Sequence, residues 1–377
     1  MRLVKASLVQ GVQAASTKED LYPYLQAAIE LEFATIPVYL SGLFTLKDAQ
    51  QGGANYATAQ ILQSVANEEM LHMCIAANTL IALGGVPSIY PTVIPNNWPS
   101  PLPYGVDDGL APGIAPLSKD VILDTYMRIE EPDVILQPQS GPPIPLASEP
   151  PPTSGEYQSI GDFYQAIIAK IAALPAGSID PASASKQVTG VFYTEPQHTP
   201  LPITDARSAA EQLGIIINQG EGTSKSPMEA FSLDGNKDPA HFYRFAQIYM
   251  GNQLVVSGDG YSFSGPAVGF DPSKVYPMVP NPTLAQMQQN PEAGPVCMAF
   301  TAAFNGLVEL LQQAFSGHPD AIDTAVNVMF DLPNLAQTVL ETPFGDGQVA
   351  GLCFEVVVER SATPPSPHPR RARLPRR

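Results

Sequence analysis

An acidic residue and a histidine stand three positions apart within a long apolar helical pattern. They are Glu69 and His72. In heptad steps both share a stripe with Val65, which predicts that both side chains are buried. A metal ion removes the cost of burying a carboxylate, because it takes ionised oxygen and neutral imidazole as ligands. The spacing therefore indicates half of a two-metal site in a helical bundle, and the alternative is a buried acid–base pair beside a hydrogen-bonded histidine.

The first long predicted helix covers residues 17–46. Its apolar stripe includes Glu32, and Tyr39 lies two turns further along the same face. Glu30 falls on a different, less apolar face, so we predict Glu32 as the metal ligand and interpret Glu30 as a solvated or salt-bridged acid. Pro37 lies inside this helix and is expected to bend it.

A shorter helix, predicted at residues 118–131, supplies a third acid. Pro132 ends this helix, because the residue before a proline is disfavoured in the α region. Glu130 continues the stripe of Met127 and is the preferred ligand, with Glu131 at the helix boundary as the alternative.

A second acid–histidine pair is split by a loop. A helix is predicted at residues 205–220, and Glu221 follows it between two glycines. The next histidine is His241, about twenty residues later. Asp238 as the N-cap and Pro239 at the first helical position predict that a new helix begins there. Glu221 and His241 are therefore expected to complete the second metal site, and the alternative is a loop acid and a surface histidine.

Five short runs resemble a known family. They are Glu30–Tyr39, Glu68–Met73, Ile129–Glu130, Gln219–Gly222 and His241–Phe245. Together they are similar to the ferritin-like domain associated with iminophenyl-pyruvate dimer synthases of bisindole pathways such as violacein biosynthesis. The similarity is good over residues 17–250 and weaker up to residue 345. In that family the domain occurs within a much longer chain and also as a free-standing protein, and this chain resembles the free-standing form.

The resemblance implies an all-α fold: a ferritin-like four-helix bundle with long proline-rich loops and additional C-terminal helices. It also implies a di-iron centre, and oxygen-rich ligation with one histidine per metal suits iron or manganese. The predicted ligands are Glu32, Glu69, His72, Glu130, Glu221 and His241. Tyr39 and Tyr126 are either hydrogen-bond partners of these ligands or core aromatics. Glu68 is rotated by about 100° from the stripe, so its loss is expected to leave metal binding nearly intact.

Two parts are expected in the folded chain. Residues 1–250 form the di-metal bundle with its loop insertions, and residues 251–360 form a C-terminal helical extension. Helices are predicted in this extension at residues 296–314 and 319–332. Pro333 should end or kink the second, and a last helical piece can continue to residue 341.

Forty prolines, about double the average usage, concentrate in predicted loops. The loops cover residues 87–116, 132–152 and 196–202, and some are expected to cover the mouth of the bundle. Short strands are predicted at residues 187–193 and 353–358.

The net charge of −17 argues against a nucleic-acid-binding role and against an anionic membrane surface as partner. The exception is the proline-rich basic tail, residues 361–377, which is expected to be disordered. The cysteines show no zinc or redox spacing, so Cys74 and Cys297 are expected to be small core residues. No secretory signal or membrane-length apolar run is recognised, and the protein is expected in the cytoplasm.

Three functions are compatible with these patterns. The resemblance favours a di-iron oxidase or oxygenase of secondary metabolism that acts on a small organic substrate, with an aromatic amino-acid-derived imine as one candidate. A partner enzyme of the same pathway can deliver that substrate. Iron storage and a metal-free ferritin-like scaffold are the alternatives. The chain length and the proline-rich loops disfavour a storage shell, and six candidate ligands in order disfavour a scaffold.

Overall fold

The computed structural model describes residues 3–107, 109–146, 157–190, 199–221, 226–229, 238–258 and 260–357. Helices dominate these ranges, and the few strands form small two-stranded sheets. The predicted all-α fold is therefore confirmed. The predicted basic tail lies outside the described residues.

The helices lie at the following positions in chain order. They are α1 (Ala6–Ala14), α2 (Tyr22–Thr45), α3 (Tyr56–Ala82), α4 (Lys119–Val121, continued by a π-helical stretch Ile122–Met127), α5 (Ile160–Ala173), α6 (Ala206–Glu221), α7 (His241–Met250), α8 (Leu284–Met287), α9 (Ala293–Phe315) and α10 (Ala321–Leu340).

The strands pair in three antiparallel sets. They are β1 (Leu3–Lys5) with β2 (Tyr157–Ser159), β3 (Val255–Ser257) with β4 (Gly260–Ser262), and β5 (Pro343–Gly345) with β6 (Gln348–Val349). In the first set Leu3 is opposite Ser159, which ties the N-terminus to the start of α5.

The two longest helices, α2 and α3, form the centre of the molecule. Both are buried on almost every side in their middle turns, as expected of core helices. Pro23 in the first turn of α2 has the fixed φ that suits a helix start. After α3, Gly84 adopts a φ of +92° and donates its N–H to Ile81 O at 2.9 Å, which closes the helix end.

Helices α4 and α7 pack together and cover one side of α2. Gly42 in α2 permits this approach, because a Cβ at this position would lie 2.2 Å from Tyr126 Oη of α4. Around this contact, the Tyr39 ring lies 5.0 Å from Tyr126 and 5.1 Å from Phe245 of α7. The aromatic cluster places the end of α4 and the start of α7 beside the middle of α2.

Helices α5 and α6 form another packed pair beside α3. A capping box begins α5: Ser159 Oγ accepts from Asp162 N at 2.9 Å, and the Asp162 carboxylate accepts from Ser159 N at 3.3 Å. The predicted helix at residues 205–220 corresponds to α6, whereas α5 has no counterpart among the sequence predictions.

The predicted start of α7 is wrong by two residues. The helix begins at His241 rather than at Pro239, and Asp238 is not its N-cap. Residues 238–240 are extended instead, because Asp238 O accepts from Glu229 N at 2.9 Å and Ala240 N donates to Pro227 O at 3.0 Å. This pairing places His241 in the first turn of α7.

The C-terminal helices α9 and α10 pack against each other and on the bundle. Phe304 of α9 contacts Phe33 on the outer side of α2, with ring centroids 6.3 Å apart. Both predicted helices exist, and the helical piece predicted beyond Pro333 is part of α10, which continues through Pro333 to Leu340. Pro333 has no N–H to donate to the carbonyl four residues earlier in the helix. Because Pro333 is exposed, water can bond that carbonyl instead. The domain boundary at residue 250 stays a prediction.

The long segment between α3 and α4 is irregular, as predicted, apart from a short 3₁₀ turn at Pro103–Gly105. Trp98 anchors it: the indole is buried, and its Nε1–H donates to Phe354 O at 2.8 Å. The predicted strands are wrong at residues 187–190 and 353–357, which are irregular, and their remaining residues lie outside the described ranges. Asn78 of α3 bonds the backbone of Val188 in place of a strand partner.

Two helical segments are long and apolar enough to cross a membrane by length and composition alone. In Glu19–Thr45, 78% of the apolar window is buried inside the protein, as in a core helix. In Ala293–Phe315 the buried share is 39%. Such a pair is a weak membrane signal, and both the absence of a membrane partner and the cytoplasmic location stay predictions.

Candidate metal centre

Four helices bring acidic and histidine side chains to one point inside the bundle. Glu69 and His72 come from α3, one turn apart, and their side chains are 0% and 1% exposed. The others are Glu32 of α2, Glu130 just after the end of α4 and His241 of α7, all buried. Such charged groups are almost never fully buried unless they are paired or bind a metal.

The first half of the cluster contains Glu32, Glu69 and His72. His72 Nδ1 lies 3.7 Å from Glu32 Oε2 and 3.8 Å from Glu69 Oε1. The three potential ligand atoms all lie within 4.8 Å of one another, which is compact enough for one metal ion to contact all three.

The second half contains Glu69, Glu130 and His241. His241 Nδ1 lies 3.0 Å from Glu69 Oε1 and 3.5 Å from Glu130 Oε2. Glu69 therefore belongs to both halves. The rings of His72 and His241 are nearly parallel, with centroids 5.6 Å apart and planes 20° apart.

Each imidazole is oriented through its other ring nitrogen. His72 Nε2 lies 2.8 Å from Gln219 Oε1 of α6, and His241 Nε2 lies 2.8 Å from Glu68 Oε2 of α3. Because both partners are acceptors, the Nε2 atoms carry the protons and the Nδ1 atoms face the shared carboxylate. Metal-binding histidines are oriented in this way.

Hydroxyl groups hold the carboxylates. Thr35 Oγ1 donates to Glu69 Oε2 at 2.8 Å. Tyr39 of α2 donates to Glu130 Oε1, and Tyr164 of α5 donates to Glu32 Oε1. Tyr39 is therefore a hydrogen-bond partner of a predicted ligand. Tyr126 is instead a core aromatic that bonds none of the predicted ligands in the described part of the chain: its hydroxyl donates to a backbone carbonyl, Val38 O, at 2.9 Å.

A buried ionic network extends from His241, and we call Glu68, Arg244 and Glu229 the Glu68 chain. Arg244 Nη1 lies 2.8 Å from Glu68 Oε1, and Nη2 lies 2.6 Å from Glu229 Oε1. Arg244 Nε also donates to Pro239 O at 2.7 Å. Glu68 is thus buried and contacts a candidate ligand directly, so the expectation that its loss would leave metal binding nearly intact is revised.

The centre favours positive charge. Burial by itself lowers the pKa of His241, but its interactions with the carboxylates of Glu130, Glu68 and Glu69 raise it well above the usual histidine value. Burial also lowers the pKa of His72, and Glu32 and Glu69 more than offset this. The carboxylates therefore stabilise a cation at this point, either a proton on an imidazole or a metal ion that displaces it.

A small cavity of about 20 Å³ reaches the cluster. It is lined by His72, Glu130, Glu131, Ile160, Gly161, Tyr164, Ile216, Ile217 and Gly220. A volume of this size holds about one water molecule. The cavity therefore connects the candidate ligands with the apolar faces of α5 and α6.

The six predicted ligands have different outcomes in the structure. Five of them form the cluster, and the side chain of Glu221 lies outside the described residues, so its role stays a prediction. Glu131 is half-buried and lies at the cavity beside Glu130. Glu30 is hydrogen-bonded rather than salt-bridged among the described residues: it accepts from Gln26 at 2.9 Å and from Tyr104 at 3.0 Å.

The sequence analysis missed several residues that position the cluster. They are Thr35, Glu68, Tyr164, Gln219 and Arg244. Four of them, all except Tyr164, stand one to three residues from a predicted ligand along the chain, which is a usable signal. Tyr164 carries no such signal, because its helix packs against the site from a distant part of the chain.

Replacement of Tyr164 with phenylalanine is expected to weaken the metal position at Glu32 by about tenfold, because outer hydrogen bonds typically contribute 10–100-fold to metal affinity. Tyr126→Phe is the matched control, since it also removes a buried hydroxyl but one bonded to backbone. Metal affinity measured by chelator competition should fall only in the first variant. Equal losses in both would contradict the role of Tyr164.

The donor set suits a metal pair. Among the described residues, His241 Nδ1 is a buried ring nitrogen without a hydrogen bond of its own, although Glu69 Oε1 lies 3.0 Å away. Three carboxylates and two imidazoles form two overlapping groups, which match the oxygen-rich ligation preferred by iron and manganese. The residues present therefore fit a di-metal carboxylate centre.

The fold and the cluster define a helical-bundle protein with a buried carboxylate–histidine centre. The family model described as Ferritin-like matches residues 25–250. This span includes every residue of the described cluster. The chain therefore belongs to the ferritin-like family.

Two similar proteins extend this comparison. Dichlorochromopyrrolate synthase of Lentzea aerocolonigenes is 22% identical over 423 residues, which include 98% of this chain and 39% of that protein. The chain thus spans about two-fifths of the length of this relative. The crystal structure of a ferritin-like protein from Caulobacter vibrioides has a TM-score of 0.50 and 22% identity, and covers 84% of this chain and 95% of that chain. The similarity to the Caulobacter vibrioides structure supports the fold alone.

Proposed function

We propose that this protein is a di-metal carboxylate oxidoreductase that acts on a small organic molecule in secondary metabolism, with iron as the preferred metal and manganese as the alternative. One observation carries the proposal: Glu69 belongs to both buried carboxylate–histidine groups. A carboxylate with two oxygens can serve two metal ions, as in the di-metal proteins of this fold. Two unrelated buried ion pairs would not need a shared acid.

The ligands divide evenly around the shared acid. Glu69 would contact both ions, and each ion would take one further carboxylate and one imidazole. These are Glu32 with His72 on one side and Glu130 with His241 on the other. Glu221 stays a predicted sixth ligand. When bound, such a pair would supply open coordination positions for the reduction of dioxygen and the oxidation of a substrate.

The chain's own residues prepare the site for this chemistry. The hydroxyls of Tyr164 and Tyr39 hold two of the carboxylates in fixed orientations. Ile160, Ile216 and Ile217 line the cavity beside the cluster, and their apolar side chains exclude bulk water. The ligands therefore need little rearrangement to receive metal, and the surroundings keep solvent away from the reacting atoms.

The size of the cavity bears differently on dioxygen and on an organic substrate. A volume of about 20 Å³ holds about one water molecule, so it admits a molecule as small as dioxygen. We propose that an organic substrate enters by displacing the apolar side chains of the wall, which include the isoleucines of α5 and α6.

The substrate class rests on the similar proteins. Dichlorochromopyrrolate synthase is named for a small organic product, and nearly the whole of this chain aligns with part of it. Because the alignment covers 39% of that protein, we propose only an oxidation of a small molecule. We further propose that a separate enzyme of the same pathway supplies or consumes that molecule.

Metal content tests the proposal directly. After anaerobic reconstitution with ferrous iron, the protein is expected to retain about two iron ions per chain, as a di-metal bundle holds. Elemental analysis of the desalted protein gives this ratio, and native mass spectrometry gives the oligomeric state. Protein that retains no iron would refute the proposal. Many irons per chain in a large closed oligomer would support a storage function instead.

A further inference from the structure

The two imidazoles of the candidate centre are held by chemically different partners. His72 Nε2 donates to the neutral amide of Gln219, and His241 Nε2 donates to the carboxylate of Glu68, each at 2.8 Å. Gln219 is 4% exposed and Glu68 is 0% exposed, so solvent does not screen the difference. A carboxylate attracts the imidazole proton more strongly than an amide, and this makes the opposite ring nitrogen a better metal donor.

The Glu68 carboxylate is held in a single orientation. Its Oε1 contacts Arg244 Nη1 at 2.8 Å, so its Oε2 remains directed at His241. Arg244 is itself fixed at its other end by Glu229 and by the backbone of Pro239. The Glu68 chain therefore holds His241 with a negatively charged acceptor that cannot easily turn away.

The two imidazoles also differ in their contact with the cavity. The cavity beside the cluster reaches His72, and its wall includes Gly220, next to Gln219 in α6. The His241 side chain is 0% exposed, and the Glu68 chain covers its Nε2 side. Of the two imidazoles only His72 therefore lines the cavity, although Glu130 of the His241 group lines it as well.

We propose that the two metal positions are unequal: the position at His241, backed by the Glu68 chain, binds a divalent metal more tightly than the position at His72, backed by Gln219. The inference rests on the proposed di-metal function and deepens it. Glu68 and Gln219 act as positioning residues that set the order of loading.

Equilibrium titration of the full chain with Mn²⁺ measures both affinities, because electron paramagnetic resonance detects the free ion. The wild type is expected to bind in two steps that differ by at least about tenfold, the scale of one outer hydrogen bond. His241→Ala should abolish the tighter step, and His72→Ala should abolish the weaker one. These two variants assign each step to a position.

A reciprocal pair of substitutions then tests whether the partners of the two imidazoles cause the difference in metal affinity. Glu68→Gln keeps the shape of the side chain and removes the charge, so the tighter step should weaken by about 10–100-fold while the other changes little. Gln219→Glu gives His72 a carboxylate partner, and the weaker step should tighten by about tenfold. Circular dichroism of the metal-free proteins verifies that each variant is folded.

Each outcome has one meaning. A wild type that binds no Mn²⁺ and no iron refutes the di-metal function itself. Two ions bound with equal affinity leave that function intact and overturn the inequality. If Glu68→Gln fails to fold, Gln219→Glu decides alone, and an unchanged weaker step in that folded variant overturns the proposal. Equal shifts of both steps in either folded variant also overturn it.

Discussion

Replacement of Glu69 with alanine is expected to remove both metal ions at once. Glu69 is the one carboxylate shared by the two described groups, and its Oε1 lies 3.0 Å from His241 Nδ1 and 3.8 Å from His72 Nδ1. Loss of the shared ligand leaves each ion with one carboxylate and one imidazole in the described cluster. Metal content after reconstitution should fall from about two ions per chain to nearly none.

Two further variants make this result specific. Asn67→Ala changes a half-buried residue on the same helix and should keep the full metal content. Glu130→Ala removes a ligand of one group only and should keep the other ion. A Glu69→Ala protein that still holds one ion tightly would show that Glu69 does not join the two positions.

The helix phase of α2 and α3 could be predicted from the sequence. Both helices are long, and residues seven positions apart fall on the same face. The stripe that contains Val65 therefore located Glu69 and His72, and the stripe that contains Tyr39 located Glu32. The structure buries all three candidate ligands at one point.

Contacts between distant segments could not be predicted in the same way. Tyr164 reaches Glu32 across 132 positions of the chain, and helix periodicity contains no information about such packing. Glu68 is a related case: its position off the stripe suggested no role, but α7 covers that side of α3 and places His241 and Arg244 against it. The start of α7 was missed because residues 238–240 pair with a neighbouring strand-like segment.

Replacement of Arg244 with alanine is expected to destabilise the metal-free protein by about 3–5 kcal/mol, the usual cost of removing one partner from a buried ion pair. Arg244 is 4% exposed and contacts both Glu68 and Glu229. Burial lowers the pKa of Arg244, but the two carboxylates more than offset this, so the guanidinium remains charged. Its loss leaves two buried carboxylates without their cation.

The loss of stability in Arg244→Ala should depend on pH in a defined direction. Burial and Glu68 raise the pKa of Glu229 to about 7, although Arg244 lowers it. A carboxyl whose pKa is higher in the folded than in the unfolded state takes up a proton on folding, so its stabilising contribution is lost as pH rises through the folded-state pKa. Without Arg244 that pKa rises further, and the destabilisation should grow as pH increases above about 7.

Urea unfolding of the wild type and of Arg244→Ala at pH 6 and about pH 8.5 measures both effects, with the pH values chosen on either side of the Glu229 pKa. Arg207→Ala is the matched control, because Arg207 is paired with Glu211 at 2.8 Å but its side chain is 86% exposed. Water and salt screen that pair, so its loss should leave the unfolding midpoint unchanged at both pH values. If the two variants behaved alike, the Glu68 chain would contribute no more to folding than a surface ion pair. A pH-independent loss in Arg244→Ala would instead show that packing, rather than the buried carboxylates, accounts for the destabilisation.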